Sequence, residues 1–159
     1  MAFTPIHFTE DDRIFRDQIR RFAEREVAPI ADEIDHEDRF PAEVIPKFGD
    51  MGLLQWSVPE AYGGPEGSLT KLCIAREELA RFSLSLSVMV GENGNGMALP
   101  LLFGGTEAQK QKYFPMLAEG RTIVAFALSE PEAGSDAAAL RTRAVRDGDD
   151  WRITGNKIF

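Results

Sequence analysis

The sequence predicts an α+β protein, with an N-terminal all-α helical bundle over residues 1–121 and the first strands of an incomplete β-barrel or sandwich over residues 122–159. Up to Gly120, apolar residues recur at helical spacing between capping signals, which predicts about six helices. Beyond it, Thr122 to Ser129 forms a continuous apolar run rich in strand formers, and a weak alternation surrounds an Asp147-Gly148 turn signal. Because helices come first and strands follow, we expect an α+β fold or two separate domains rather than an alternating α/β fold.

The predicted bundle begins with a capping box, in which Thr9 pairs with Asp12 ahead of apolar positions at helical spacing. Pro29 is expected to end or kink this first helix and to open the next one. A further helix is expected from Phe40-Pro41 to Met51-Gly52, where the glycine suits a C-terminal cap.

The later helices are also marked by caps and breaks. Ser68 follows a loop rich in Gly and Pro and is expected to cap a helix, and another helical stretch begins near Ser83. That stretch meets "GENGNG", Gly91 to Gly96, which we interpret as a break between helices. A phosphate loop is excluded there because no strand precedes it and no Gly-Lys-Ser/Thr follows. Thr106 and Gln109 then form a second capping box.

The predicted β part contains three strands and the start of a fourth. Thr122 to Ser129 is the first, and the Asp147-Gly148 turn joins the next two, with Trp151 and Ile153 on one face. An apolar restart at Lys157 predicts a strand that the sequence does not complete. Three strands cannot close a barrel or form a two-sheet sandwich, so we expect a truncated β-domain.

Composition excludes several function classes. The net charge is −8, and the acidic excess lies mostly in the first 60 residues, so a basic nucleic-acid footprint and docking on anionic lipid are not expected. The N-terminus lacks the pattern of a signal peptide, and no stretch is apolar enough to span a membrane, which favours the cytoplasm or an organelle matrix. No metal site is predicted, since His7 and His36 lie far apart outside any ligand spacing.

The segment "FALSEPEAGSD", Phe126 to Asp136, is the strongest candidate for a binding site. A strand end offers backbone N–H and C=O groups in a fixed plane, and the Ser129 hydroxyl adds one adjustable donor or acceptor. Pro131 fixes a corner, and Gly134 removes a side chain where another group could come close. This collection suits a planar heteroaromatic ligand along a strand edge, although a Pro-Gly turn after a strand is also a common structural element.

Four collinear fragments resemble the flavin-dependent acyl-CoA dehydrogenases. They are "PEAYGG", "GGTEAQKQKYFPMLAEG", "FALSEPEAGSD" and "GDDWRITGNKIF", and together they extend over nearly the whole chain. The resemblance implies a helical N-terminal domain, a middle β-domain, a C-terminal helical bundle that this sequence lacks, and a homotetramer that holds FAD. It also implies oxidation of the Cα–Cβ bond of an acyl-CoA thioester to a 2-enoyl-CoA, with hydride transfer to flavin N5 and an electron-transfer flavoprotein as acceptor.

The resemblance assigns cofactor contacts to residues of this chain. The strand from Phe126 through Ala127 and Leu128 to Ser129 would lie along the pyrimidine edge of the flavin, with backbone donors from Leu128 and Ser129. Gly134 and Ser135 match the turn that approaches the cofactor.

Further assignments concern the flavin ring and the substrate. Phe159 stands where the family often has a tryptophan near the flavin, and Ser135 is expected to contact the acyl-CoA chain. Glu92 is either a residue at the far end of the acyl cavity, where the small residues Gly91, Gly94 and Gly96 would leave room for a larger acyl group, or a surface glutamate.

The sequence departs from the family pattern after Phe159. The threonine that reaches flavin N5 and the catalytic glutamate have no counterparts here, so no catalytic residue is assigned and the chain alone is expected to be inactive. Two alternatives stay open. One is a non-catalytic helical interaction module, and the other is a related acyl-CoA oxidase or flavin monooxygenase with the same fold.

Overall fold

The computed structural model describes residues 8–65 and 67–158, and for Asn95 the backbone only. The chain divides into two compact units, the first ending at Val124 and the second beginning at Ala125. The first is helical and the second contains an open antiparallel pair of strands, which confirms the predicted fold class. Within the described residues, no helix has both the length and the apolar character needed to cross a membrane.

Seven α-helices form the described part of the first unit. They are α1 (Glu10–Phe22), α2 (Ala28–His36), α3 (Val44–Asp50), α4 (Leu69–Ala80), α5 (Leu84–Asn93), α6 (Leu99–Gly104) and α7 (Glu107–Ala118). Both predicted capping boxes are confirmed, because Thr9 and Thr106 each exchange hydrogen bonds with the residue three positions later. Ser68 occupies the predicted N-terminal position of α4, but its hydroxyl makes no capping bond.

The break predicted at "GENGNG" is wrong, because the chain stays helical there. A π-helical turn, Gly94–Ala98, joins α5 to α6, and the Leu99 N–H reaches back five residues to the Gly94 carbonyl. A second π-turn, Ala23–Val27, joins α1 to α2 in the same way. Each of these turns leads directly into a proline in the next helix, Pro29 or Pro100. A proline ring clashes with the carbonyl four residues earlier, and widening the turn by one residue relieves that clash.

The helices enclose two neighbouring apolar cores. The larger core joins residues of α1 to α5 and includes Ile19, Phe48 and Leu79, all fully buried. The smaller core lies between α6 and α7, where Phe114 packs against the ring of Tyr62 at a centroid distance of 4.7 Å. Close packing of these side chains fixes the helices around the α5–α6 connection.

The second unit contains one hairpin, formed by β1 (Arg143–Asp147) and β2 (Asp150–Thr154). Their antiparallel register pairs Ala144 with Ile153, and Gly148 has a φ of +66° in the connecting turn. The predicted turn is therefore confirmed, since a two-residue hairpin loop favours glycine at a positive φ.

Two of the predicted strands are wrong. Neither the run Thr122–Ser129 nor the described residues from Lys157 onward form a strand. A strand requires a ladder of hydrogen bonds with a neighbouring strand. In the described part of the chain, these two segments share one backbone hydrogen bond, from the Ile158 N–H to the Ser129 carbonyl. Apolar, β-branched composition alone did not indicate whether a partner strand lies alongside.

Candidate functional site

The segment Phe126 to Ser129 lies at the start of the second unit and exposes apolar side chains. Phe126 is 52% exposed and Leu128 is 38% exposed, and Ala127 is exposed as well. Large apolar side chains that stay accessible beside backbone polar groups are typical of surfaces that contact a ligand or another chain.

The carbonyl groups of Leu128 and Ser129 accept hydrogen bonds from neighbours, whereas their N–H groups have no partner within residues 8–65 and 67–158. Lys157 Nζ donates to the Leu128 carbonyl at 2.7 Å, and the Ile158 N–H donates to the Ser129 carbonyl at 3.1 Å. Among the residues that the structure describes, neither the Leu128 N–H nor the Ser129 N–H has a hydrogen-bond partner. An exposed backbone donor without a partner favours a ligand with hydrogen-bond acceptors.

Glu130 follows directly and is 5% exposed. One carboxylate oxygen accepts the Arg141 N–H at 2.7 Å, and the other accepts the Thr142 N–H at 2.9 Å and Lys157 Nζ at 3.0 Å. The Thr142 hydroxyl, the Arg141 N–H and Lys157 lower the pKa of Glu130 to about 2, so the carboxylate is charged at neutral pH. Thr142 Oγ1 itself is buried without a hydrogen-bond partner in the described part of the chain.

The turn after Glu130 brings Gly134 and Ser135 to the surface. Reciprocal backbone bonds of 3.0 and 3.1 Å between Glu130 and Ala133 close this turn, and Ala133 is buried. Gly134 has no positive φ, and a Cβ placed there would meet nothing within 4 Å among the described residues. Neither backbone conformation nor packing within the described chain therefore requires glycine at this position, which leaves space for an approaching ligand.

Glu92 belongs to the first unit, where it is half-buried near the C-terminal end of α5. Protein atoms lie close to two of the neighbouring glycines. A Cβ at Gly91 would lie 2.9 Å from the Arg76 guanidinium, and one at Gly94 would overlap Ser57. Gly96 lines an open groove of about 380 Å³ together with residues of α6 and α7.

The remaining predicted contact, Phe159, lies outside the described residues. Sequence reasoning missed Lys157 and the Glu130 carboxylate, which together hold the backbone of the candidate segment. The two residues are 27 positions apart, and no local pattern links them.

The exposed apolar side chains, the free N–H pair and the open space at Gly134 fit a planar heteroaromatic ligand with acceptor atoms along one edge. An isoalloxazine ring has this shape and carries acceptors on its pyrimidine edge. The fold defines a class of protein in which a helical N-terminal unit is followed by a unit with an antiparallel hairpin.

Comparisons with known proteins agree with this class. The family model "Acyl-CoA dehydrogenase, N-terminal domain" matches residues 9–121. An acyl-CoA dehydrogenase of Bacillus subtilis is 38% identical over 97% of this chain and 41% of its own length. The chain belongs to the acyl-CoA dehydrogenase family, as its sequence fragments predicted, and it spans about two-fifths of the length of the curated relatives it matches.

Solved structures show the same similarity. The acyl-CoA dehydrogenase of Geobacillus kaustophilus aligns with a TM-score of 0.87 at 35% identity, over 98% of this chain and 41% of that one. An acyl-CoA dehydrogenase of Bacillus anthracis complexed with FAD aligns with a TM-score of 0.84 at 30% identity, over 98% of this chain and 27% of that one.

Proposed function

We propose that this chain is the N-terminal portion of an FAD-dependent acyl-CoA dehydrogenase that oxidises acyl-CoA thioesters to 2-enoyl-CoA. The observation that carries the proposal is that the N–H groups of Leu128 and Ser129 have no partner among the described residues, while the carbonyls of both residues are bonded. Membership of the family and the similarity to a chain complexed with FAD support the choice of cofactor.

In this proposal, the chain's own residues bind and orient the flavin. The N–H groups of Leu128 and Ser129 donate to its pyrimidine edge and favour the negative charge that develops there. Phe126, Ala127 and Leu128 cover the ring with apolar surface and exclude water. When bound, the flavin supplies the hydride acceptor for the substrate β-carbon.

The other assignments are part of the same proposal. Gly134 gives the cofactor close access to the backbone, and Ser135 contacts the acyl-CoA chain. Glu92 lies toward the far end of the acyl cavity, and Phe159 lies near the flavin. No catalytic base is assigned among these residues.

We further propose the partners and location of the complete enzyme. It is a homotetramer that passes electrons to an electron-transfer flavoprotein, in the cytoplasm of a bacterium or in an organelle matrix. These proposals rest on the family to which the chain belongs.

The experiment that tests the cofactor assignment is a titration of the complete enzyme, freed of cofactor, with FAD, followed by visible absorption and checked by intact mass. Ser129→Pro removes one of the two donors, whereas the matched control Ser129→Ala keeps the N–H and removes only the hydroxyl. Loss of a hydrogen bond to a charge-bearing ligand edge predicts that the proline variant binds FAD about tenfold more weakly than the alanine variant. Equal affinities of the two variants would refute the donor role.

A further inference from the structure

Three groups from separate parts of the second unit meet around the Leu128–Ser129 peptide. Lys157 Nζ lies 2.7 Å from the Leu128 carbonyl and 3.0 Å from the Glu130 carboxylate, so it bridges the two. The carboxylate is held in turn by the N–H groups of Arg141 and Thr142. The lysine therefore cannot turn away from the carbonyl without leaving a buried carboxylate with one partner fewer.

The planarity of the peptide bond makes this contact important for the site. In a trans peptide, the carbonyl of one residue and the N–H of the next point in opposite directions. The Leu128 carbonyl and the Ser129 N–H belong to the same peptide plane. Fixing that carbonyl toward Lys157 therefore fixes the Ser129 N–H on the opposite side, where it has no partner in the described chain.

We propose that Glu130 and Lys157 form a clamp that orients the Ser129 N–H toward the flavin, and that both are positioning residues for cofactor binding. This inference rests on the proposed function, and it assigns a role to two side chains that do not themselves contact the ligand. An ion pair that only joined Lys157 to Glu130 would not need the additional bond from the ammonium to the Leu128 carbonyl.

Without the clamp, the Leu128–Ser129 peptide is free to rotate. Binding of the ligand must then order this peptide, and the loss of rotational freedom makes the free energy of binding less favourable. We expect Lys157→Met, which keeps the aliphatic stem and removes the ammonium, to weaken FAD binding about tenfold. The reduction potential of bound flavin should shift to a more negative value, since one donor at its pyrimidine edge is less well aligned.

The experiment compares four proteins by FAD titration and by circular dichroism of the folded state. Lys157→Met removes the clamp, and Lys157→Arg keeps a cation that can reach both oxygens and should restore most of the affinity. Arg152→Met is the control, because it removes the hairpin ion pair between Arg152 and Asp147 without touching the candidate segment. It should bind FAD as the unmodified protein does.

The nuclear magnetic resonance signal of the Ser129 amide without FAD gives a readout independent of the cofactor. We expect this signal to shift or broaden in Lys157→Met and to stay unchanged in Arg152→Met, because the released peptide samples more orientations. Unchanged FAD affinity, potential and Ser129 amide signal in a folded Lys157→Met would overturn the clamp and leave the proposed function intact. Failure of the complete enzyme to bind FAD would overturn the proposed function, and the inference with it.

Discussion

Replacing Glu78 with glutamine should destabilise the helical unit strongly, because this carboxylate is buried among three guanidinium groups. Its side chain is 3% exposed, and it accepts two hydrogen bonds of 3.0 Å from Arg20 and one of 3.0 Å from Arg81, with Arg16 at 3.4 Å. Removing one partner of a fully buried ion pair costs about 3–5 kcal/mol. The arginines here keep part of their hydration, so we expect Glu78→Gln to lower the free energy of unfolding by about 2–3 kcal/mol.

The neighbouring Glu77 provides a matched control on the same helix. Its side chain is 62% exposed and forms an ion pair with Arg16 at 2.9 Å. Glu77→Gln should therefore lower the free energy of unfolding by less than about 1 kcal/mol. Urea unfolding followed by far-ultraviolet circular dichroism reports on the helices and gives both values. Equal effects of the two substitutions would refute the argument that burial makes the Glu78 cluster stabilising.

The pH dependence gives a second check on Glu78. The hydrogen bond from Arg20 is the main cause that lowers the pKa of Glu78 below its ordinary value of 4.5. A carboxylate with a lowered folded-state pKa stabilises the protein fully above its unfolded-state pKa and loses that effect as the pH falls through the folded value. The difference between the unmodified protein and Glu78→Gln should therefore shrink below pH 4.5, and a constant difference would contradict the assignment.

Three further predictions follow from single contacts. Asn93→Ala should lower the free energy of unfolding by about 1–2 kcal/mol, because the side-chain amide of Asn93 donates to the Thr122 carbonyl at 2.7 Å and accepts the Val124 N–H at 2.9 Å. An unchanged midpoint of urea unfolding would contradict this prediction. Gly120→Ala should lower the free energy of unfolding by about 2 kcal/mol or more, because the φ of +65° is strained for alanine and its Cβ would overlap the buried side chain of Gln55. A variant as stable as the unmodified protein would contradict this prediction. The Glu130 carboxylate should stabilise the second unit fully above pH 4.5, and this stabilisation should be lost as the pH falls toward the folded pKa of Glu130, about 2. The melting temperature of Glu130→Gln should therefore change less with pH over this range than that of the unmodified protein.

Local signals in the sequence were sufficient for much of the helical unit. The capping boxes at Thr9 and Thr106 were predictable because donor and acceptor lie three residues apart in one helix. The Asp147-Gly148 turn was predictable for the same reason, since a positive φ selects glycine. The strand predicted over Thr122–Ser129 failed because pairing depends on which segment lies alongside, and composition does not indicate that.

The π-turns and the candidate site show a different limit. Pro29 signalled a disturbed helix, but whether the chain breaks or widens by one residue depends on packing against the rest of the bundle. The family fragments located the segment from Phe126 to Ser135, whereas the contact between Glu130 and Lys157 requires the hairpin to fold back. Such contacts between distant residues are set by tertiary structure, and one sequence gives no direct signal for them.

The most direct test of the central claim is hydrogen exchange of the backbone amides with and without FAD. We predict that the Leu128 and Ser129 amides exchange quickly in the apoprotein and slow markedly when FAD binds, while the β1–β2 hairpin amides change little. Protection confined to other segments, with FAD bound and these two amides still exchanging quickly, would contradict the assignment of this edge as the flavin site.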